Sequence, residues 1–78
     1  MPLQDLVETL ARALVKEPHR VHATEWVEDG FVHLDLEVAP SDRGRVIGRG
    51  GRTADALRTL VEAMGRRRGT PCDLEIVD

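Results

Sequence analysis

Apolar residues recur along this chain in two rhythms, and the changes between them divide it into six elements. Leu3, Leu6, Val7, Leu10 and Leu14 keep the i, i+3, i+4 spacing that places them on one face of a helix. Pro18 stops that helix, because the residue before a proline is pushed out of the helical region. Residues 20–28 and 31–38 then change to period two, with Val32, Leu34, Leu36 and Val38 alternating against His33, Asp35 and Glu37. Asp29-Gly30 between them is a strong two-residue hairpin signal. That turn pairs 27 with 32, 25 with 34, 23 with 36 and 21 with 38, so Val21, Ala23 and Val27 share the inner face. Glu25 breaks the pattern and marks the first strand as an edge, where a carboxylate reaches water.

After Pro40, Ser41 or Asp42 can cap a short helix running to Ile47. A longer helix from about Arg52 carries Ala54, Leu57, Val61 and Met64 on one face, with Ala56, Leu60 and Ala63 beside it. Gly65 or Gly69 ends it, and Pro71 prevents its continuation. Residues 72–77 alternate Cys72, Leu74 and Ile76 with Asp73, Glu75 and Val77, a last strand. The order α-β-β-α-α-β predicts an α+β fold over residues 1–78, a single domain. Its first two strands form an antiparallel hairpin. The second and third are joined through two helices, a right-handed crossover that makes them parallel. The result is a three-stranded mixed sheet with three helices on one face. The other face shows His33, Asp35, Glu37, Asp73 and Glu75.

Candidate chemistry concentrates between the two later helices, at Val46-Ile47-Gly48-Arg49-Gly50-Gly51-Arg52. Gly48 and Gly51 frame two residues in a G-x-x-G turn. Glycine lacks a Cβ, so the backbone there can approach a ligand closely. Amides at the start of a helix favour an anion, and Arg45, Arg49 and Arg52 surround the turn. Nothing nearby is nucleophilic, so the arrangement suits gripping a phosphate backbone and not cutting one. With Val46-Ile47 before it, Thr53-Ala54 after it, and Ala39-Pro40 and Ser41-Asp42-Arg43-Gly44 leading in, the segment resembles the signature of KH domains. The order of elements extends the resemblance over essentially the whole chain, to the small single-domain KH proteins of bacteria, the KhpA type.

The resemblance implies a type II KH fold that clamps about four nucleotides of single-stranded RNA at the glycine turn. Gly48, the backbone amides near Gly50 and Gly51, and the guanidinium of Arg49 would hold phosphates. Arg45 and Arg52 would flank them, and Ile47 would form an apolar floor for bases. About three neutralised charges predict a logarithmic salt slope near −2. It also implies homodimers, pairing with a larger KH protein of the Jag (KhpB) type, and a role as RNA chaperone or post-transcriptional regulator linked to cell division and envelope growth. An RRM, another small α/β RNA binder, needs aromatic rings on its open sheet face. Here Trp26 stands at the margin of that face among acids, which repel phosphate.

Charge changes the picture once it is read by region. The net charge is −3, which argues against nucleic acid at first sight. Residues 1–42 carry a net −6, residues 43–68 a net +6 and residues 69–78 a net −3. The positive field surrounds the glycine turn, and distribution decides. No apolar run approaches the roughly 20 residues of a membrane span, and no basic leader opens the chain. The lone Cys72 excludes an internal disulfide framework and fits a reducing cytoplasm.

The remaining chemistry-bearing residues have plainer readings. The hairpin register sets His22 opposite Glu37 and His33 opposite Trp26, so His19, His22 and His33 do not converge on a metal. Trp26 either staples the hairpin or meets a partner. Arg66-Arg67-Arg68 complements a helix C-terminus, about 20 Å along the helix from the turn. Cys72 faces inward as a core thiol. No catalytic base, nucleophile or cofactor motif is visible, so the chain is not expected to be an enzyme or to carry a cofactor. The long helix has an apolar arc wider than one core face requires. Ala56, Leu60 and Ala63 are therefore the candidate partner interface. An interaction subunit, with RNA contact secondary, is the alternative function.

Overall fold

A computed structural model describes residues 1–77. It contains α1 (Leu3–Leu14), β1 (His22–Glu28), β2 (Phe31–Glu37), α2 (Arg43–Ile47), α3 (Arg52–Arg67) and β3 (Cys72–Ile76), with single 3-10 turns at Pro18–Arg20, Pro40–Asp42 and Arg49–Gly51. The sheet order is β1-β2-β3, β1 antiparallel to β2 and β3 parallel to it. This is the mixed three-stranded sheet and α+β order that the hydrophobic rhythm predicts.

Asp29 and Gly30 both have positive φ, 53° and 77°, the type I′ geometry whose twist matches that of the strands. The register follows, with Val27 opposite Val32, Glu25 opposite Leu34 and Ala23 opposite Leu36. Both sheet edges are blunted by side chains. Glu8 accepts the N–H of Ala23 at 2.8 Å, and Arg58 Nε donates to the carbonyl of Leu74 at 3.3 Å. Each occupies a backbone group that would otherwise invite another strand.

One side of the sheet is closed by the helices. Leu3, Val7 and Ala11 of α1, Val46 of α2, and Ala54, Leu57 and Val61 of α3 are buried over Val21, Ala23, Leu34, Leu36, Val38, Cys72 and Leu74. Burying each leucine or valine contributes about 1.5–3 kcal/mol. Burial also raises the pKa of the Cys72 thiol, which suits a packed core group. Val27 departs from the expected inner face: it is 63% exposed. The hairpin tip extends past the helices, so nothing covers it.

The two long helices end in different ways. α1 stops at Leu14, and Val15 is already extended; Pro18 instead begins a separate 3-10 turn. At the other end, Gly69 (φ 74°) terminates α3. Thr70 N–H donates to the carbonyl of Gly65 and Gly69 N–H to that of Arg66, the paired bonds of a Schellman cap. Gly65 lies inside the helix and has a packing role. A Cβ there would come 2.5 Å from the Thr70 carbonyl oxygen and 2.7 Å from Cys72 Sγ, so its absence lets α3 lie close against β3.

Asp42 does not cap α2 with its side chain. Its carboxylate is fully buried and points to the chain leaving α1, where it accepts the backbone N–H of Lys16 at 3.0 Å and of Glu17 at 3.1 Å. Arg45, one turn on, supplies the opposite charge at 3.3 Å. The Lys16 hydrogen bond is the largest influence lowering the Asp42 pKa; burial opposes it, while Glu17 and Arg45 add to the lowering. A carboxyl whose pKa is lower in the folded state stabilises the fold fully above its unfolded value. That contribution is lost as pH falls through the folded value. Acid titration of stability by urea unfolding should therefore show a loss below about pH 4 that Asp42→Asn reduces. An equal slope in both proteins would show that Asp42 is not a source of the acid sensitivity.

Candidate nucleic-acid interface

α2 and α3 meet at a turn that only glycine can make without strain. Gly48 has φ 77° and ψ 170°, and its N–H closes α2 by donating to the carbonyl of Gly44 at 2.9 Å. A Cβ on Gly48 would overlap the Thr53 side chain and lie 2.9 Å from the Thr53 backbone nitrogen. Gly50 and Gly51 also have positive φ, 64° and 78°, but a Cβ at either would meet nothing within 4 Å. The second pair therefore answers to backbone shape, and Gly48 to the close approach of the two helices as well.

The turn projects from a fixed base. Val46 is fully buried, whereas the next residue, Ile47, is 40% exposed. Arg45, Arg49, Gly50 and Arg52 are exposed, and Gly48 and Gly51 are half-buried. All seven expected site residues thus lie along one short surface segment. Not every polar group in it is available to a ligand. Gly51 N–H is already donated to the carbonyl of Gly48 at 3.1 Å, and Arg52 N–H to that of Arg49. The Arg45 guanidinium is turned back onto the Ser41 carbonyl at 3.2 Å and the Asp42 carboxylate. Arg49 and Arg52 have no carboxylate partner among the described residues.

Elsewhere the positive field is partly spent inside the fold. Arg58 pairs with Asp55 and the Leu74 carbonyl, and Arg68 donates to the Met1 carbonyl at 2.8 Å. The open sheet face carries Phe31 as a second aromatic ring beside Trp26. Trp26 stacks on His33 at 5.2 Å between centroids, and Phe31 stacks on the same imidazole at 4.9 Å. His33 Nδ1 lies 3.1 Å from Asp73 Oδ1. Trp26 therefore staples the hairpin, and Asp35, Glu37 and Glu75 share the rest of that face.

On α3, Ala56 is exposed, Leu60 is 50% exposed and Ala63 is half-buried. No group of three metal-ligating side chains occurs among the described residues, nor is there an enclosed pocket. No helix there is long and apolar enough to cross a membrane. Thr53 and Asp42, which shape the turn and its base, were not singled out for these roles from sequence. The i, i+3 spacing of Asp42 and Arg45 was the available signal.

Residues 4–76 match the family described as KhpA/KhpB, KH domain. The chain is 39% identical over 75 residues to the RNA-binding protein KhpA of Clostridium perfringens, covering 96% of this chain and 100% of that one. It is 42% identical over 76 residues to the protein of the same name from Aquifex aeolicus, covering 97% and 96%. The Treponema pallidum protein of that name is 44% identical over 75 residues, covering 96% and 94%. Among solved structures, a variant of Aquifex aeolicus Era matches with TM-score 0.58 and 20% identity over 97% of this chain and 31% of that one. That likeness speaks for the fold alone.

The glycines of this segment should respond differently to a methyl group. Gly48→Ala is expected to lower stability by about 1–3 kcal/mol, from overlap with Thr53 and strain at positive φ. Gly44→Ala, where nothing lies within 4 Å and the backbone is helical, should be neutral or stabilising by up to about 1 kcal/mol. Urea unfolding of the two variants checks the contrast; equal effects would contradict it.

Proposed function

Since the chain belongs to the KhpA/KhpB KH-domain family, we propose that it binds RNA by clamping a short single-stranded segment at the turn from Gly48 to Gly51. The observation that carries this reading is the exposed, uncompensated pair Arg49 and Arg52 on a glycine turn set at the head of α3. Phosphates would lie against these guanidiniums and the glycine backbone, with bases over the exposed side chain of Ile47. KH modules of this kind hold about four nucleotides. No aromatic ring lines this segment, so the 1–3 kcal/mol or so that base stacking supplies is absent. One copy should bind weakly, with loose sequence preference. The relatives are named for RNA binding and not for catalysis, and the acidic open sheet face disfavours a second RNA path.

A role as RNA chaperone or post-transcriptional regulator in the cytoplasm, affecting cell shape, fits a weak and unselective grip. So does assembly with itself or with a larger KH protein of the Jag (KhpB) type, because linking two weak sites multiplies affinity. Leu60 at 50% exposure beside exposed Ala56 favours a contact through α3. The small neighbour would let a second backbone come close.

Replacing Arg49 and Gly50 together with aspartate should abolish RNA retention while the circular dichroism spectrum stays unchanged, since both residues are exposed and aspartate tolerates the left-handed backbone of Gly50 better than most side chains. Each lost charge-assisted hydrogen bond is worth about 1.5–3 kcal/mol. A folded double variant that keeps its RNA would refute the clamp. Leu60→Asp should give a folded monomer that binds RNA more weakly through lost avidity. Light scattering decides this, and a wild type that is monomeric at high concentration would rule out the homodimer.

A further inference from the structure

Arg45 stands in the basic segment, yet its guanidinium is directed away from the turn. It bonds the Ser41 carbonyl at 3.2 Å and Asp42 Oδ1 at 3.3 Å. The same carboxylate is fully buried and receives the backbone N–H groups of Lys16 and Glu17, 26 and 25 residues earlier in the chain. Ser41 Oγ adds a bond to Glu17 Oε2 at 3.3 Å. These contacts join three pieces: the exit of α1, the 3-10 turn Pro40–Asp42, and the first turn of α2. α2 has only five residues, too few to hold its own geometry by intrahelical bonds. Something outside it must fix the direction in which it delivers Gly48.

We infer that Asp42 and Arg45 form a latch that positions the glycine turn, with Asp42 holding α2 to the exit of α1 and Arg45 neutralising Asp42 instead of contacting RNA phosphate. The inference rests on the clamp proposed above and assigns a different task to one of its expected contacts. Its physical basis is the asymmetry of buried charge. A carboxylate with two backbone donors and one cation is satisfied, and removing the cation leaves the charge uncompensated in a water-poor site. The helix that carries the turn would then loosen at its base. A turn that must be ordered at the moment of binding grips less tightly, although every phosphate-facing group is still present. Coupling of this kind is reciprocal: RNA on the turn must in return stabilise the latch.

Three variants, Arg45→Gln, Arg45→Lys and Arg49→Gln, separate positioning from contact when RNA binding is measured against salt with a uridine oligonucleotide of about eight residues. A lost phosphate contact lowers the magnitude of the logarithmic salt slope by about 0.7 for single strands. Arg49→Gln should show that loss. Arg45→Gln should weaken binding about three- to tenfold with the slope changed by less than half as much, and Arg45→Lys should recover most of the affinity. Amide hydrogen exchange gives the second readout. Saturating oligonucleotide should slow exchange at Lys16 and Glu17 in the wild type, and Arg45→Gln should abolish that slowing while the protein stays folded. Arg45→Gln flattening the slope as much as Arg49→Gln, or RNA leaving the Lys16 and Glu17 amides unaffected, overturns the latch. If Arg49→Gln changes neither affinity nor slope, the clamp itself fails, and the latch with it.

Discussion

The space missing at Gly48 governs the architecture of this molecule. α2 must end, reverse and feed α3 within four residues, and Thr53 occupies the place where any other side chain would stand. That closeness buries Val46 beneath the turn while Ile47 emerges beside it. The backbone at 48–51 is then committed to positive φ at three of its four positions, a conformation that L side chains resist. A turn so constrained presents its guanidiniums from a fixed base, and the proposed clamp would depend on that fixed geometry, since no pocket is found among the described residues.

Charge is sorted by the same topology. Both hairpin strands and β3 direct acids to the open sheet face, while the segment from Arg43 to Arg68 holds eight of the ten arginines. Several of these serve the fold: Arg45 serves Asp42, Arg58 the β3 edge, Arg68 the amino-terminal backbone. In and beside the turn itself, Arg49 and Arg52 stay exposed without a carboxylate partner among the described residues. A net charge of −3 therefore coexists with a local positive field, and under the proposed clamp the acidic sheet would confine a polyanion to the other side. The exposed pair Arg58–Asp55 contributes little to stability, unlike the buried Asp42 carboxylate that Arg45 meets; together these engagements decide which arginines stay available.

Much of this was legible in the sequence. Period two against period 3.6 placed the strands and helices, Asp29-Gly30 set the hairpin register, and the crossover rule made β3 parallel to β2. Where reading fell short, the packing of one element against another decided the outcome. Asp42 looks like a helix cap because cap preference is local, but its partners are the amides of Lys16 and Glu17. Gly65 looks like a helix stop until β3 packs against it. Val27 satisfies the inward alternation at a place beyond the reach of the helices. Arg45 sits in the basic cluster by spacing, and the i, i+3 spacing to Asp42 is the one sequence signal that its charge is engaged. The turn residues themselves were readable because glycine positions report backbone geometry directly.

Backbone amide chemical shifts recorded while a short uridine oligonucleotide is titrated into the protein test the account most directly. Shifts concentrated at Ile47, Gly48, Arg49, Gly50 and Arg52, with His33, Asp35, Asp73 and Glu75 unmoved, are the predicted result. Shifts centred on the stacked rings of Trp26 and Phe31, or on Arg66 and Arg67 with the glycine turn silent, would contradict it.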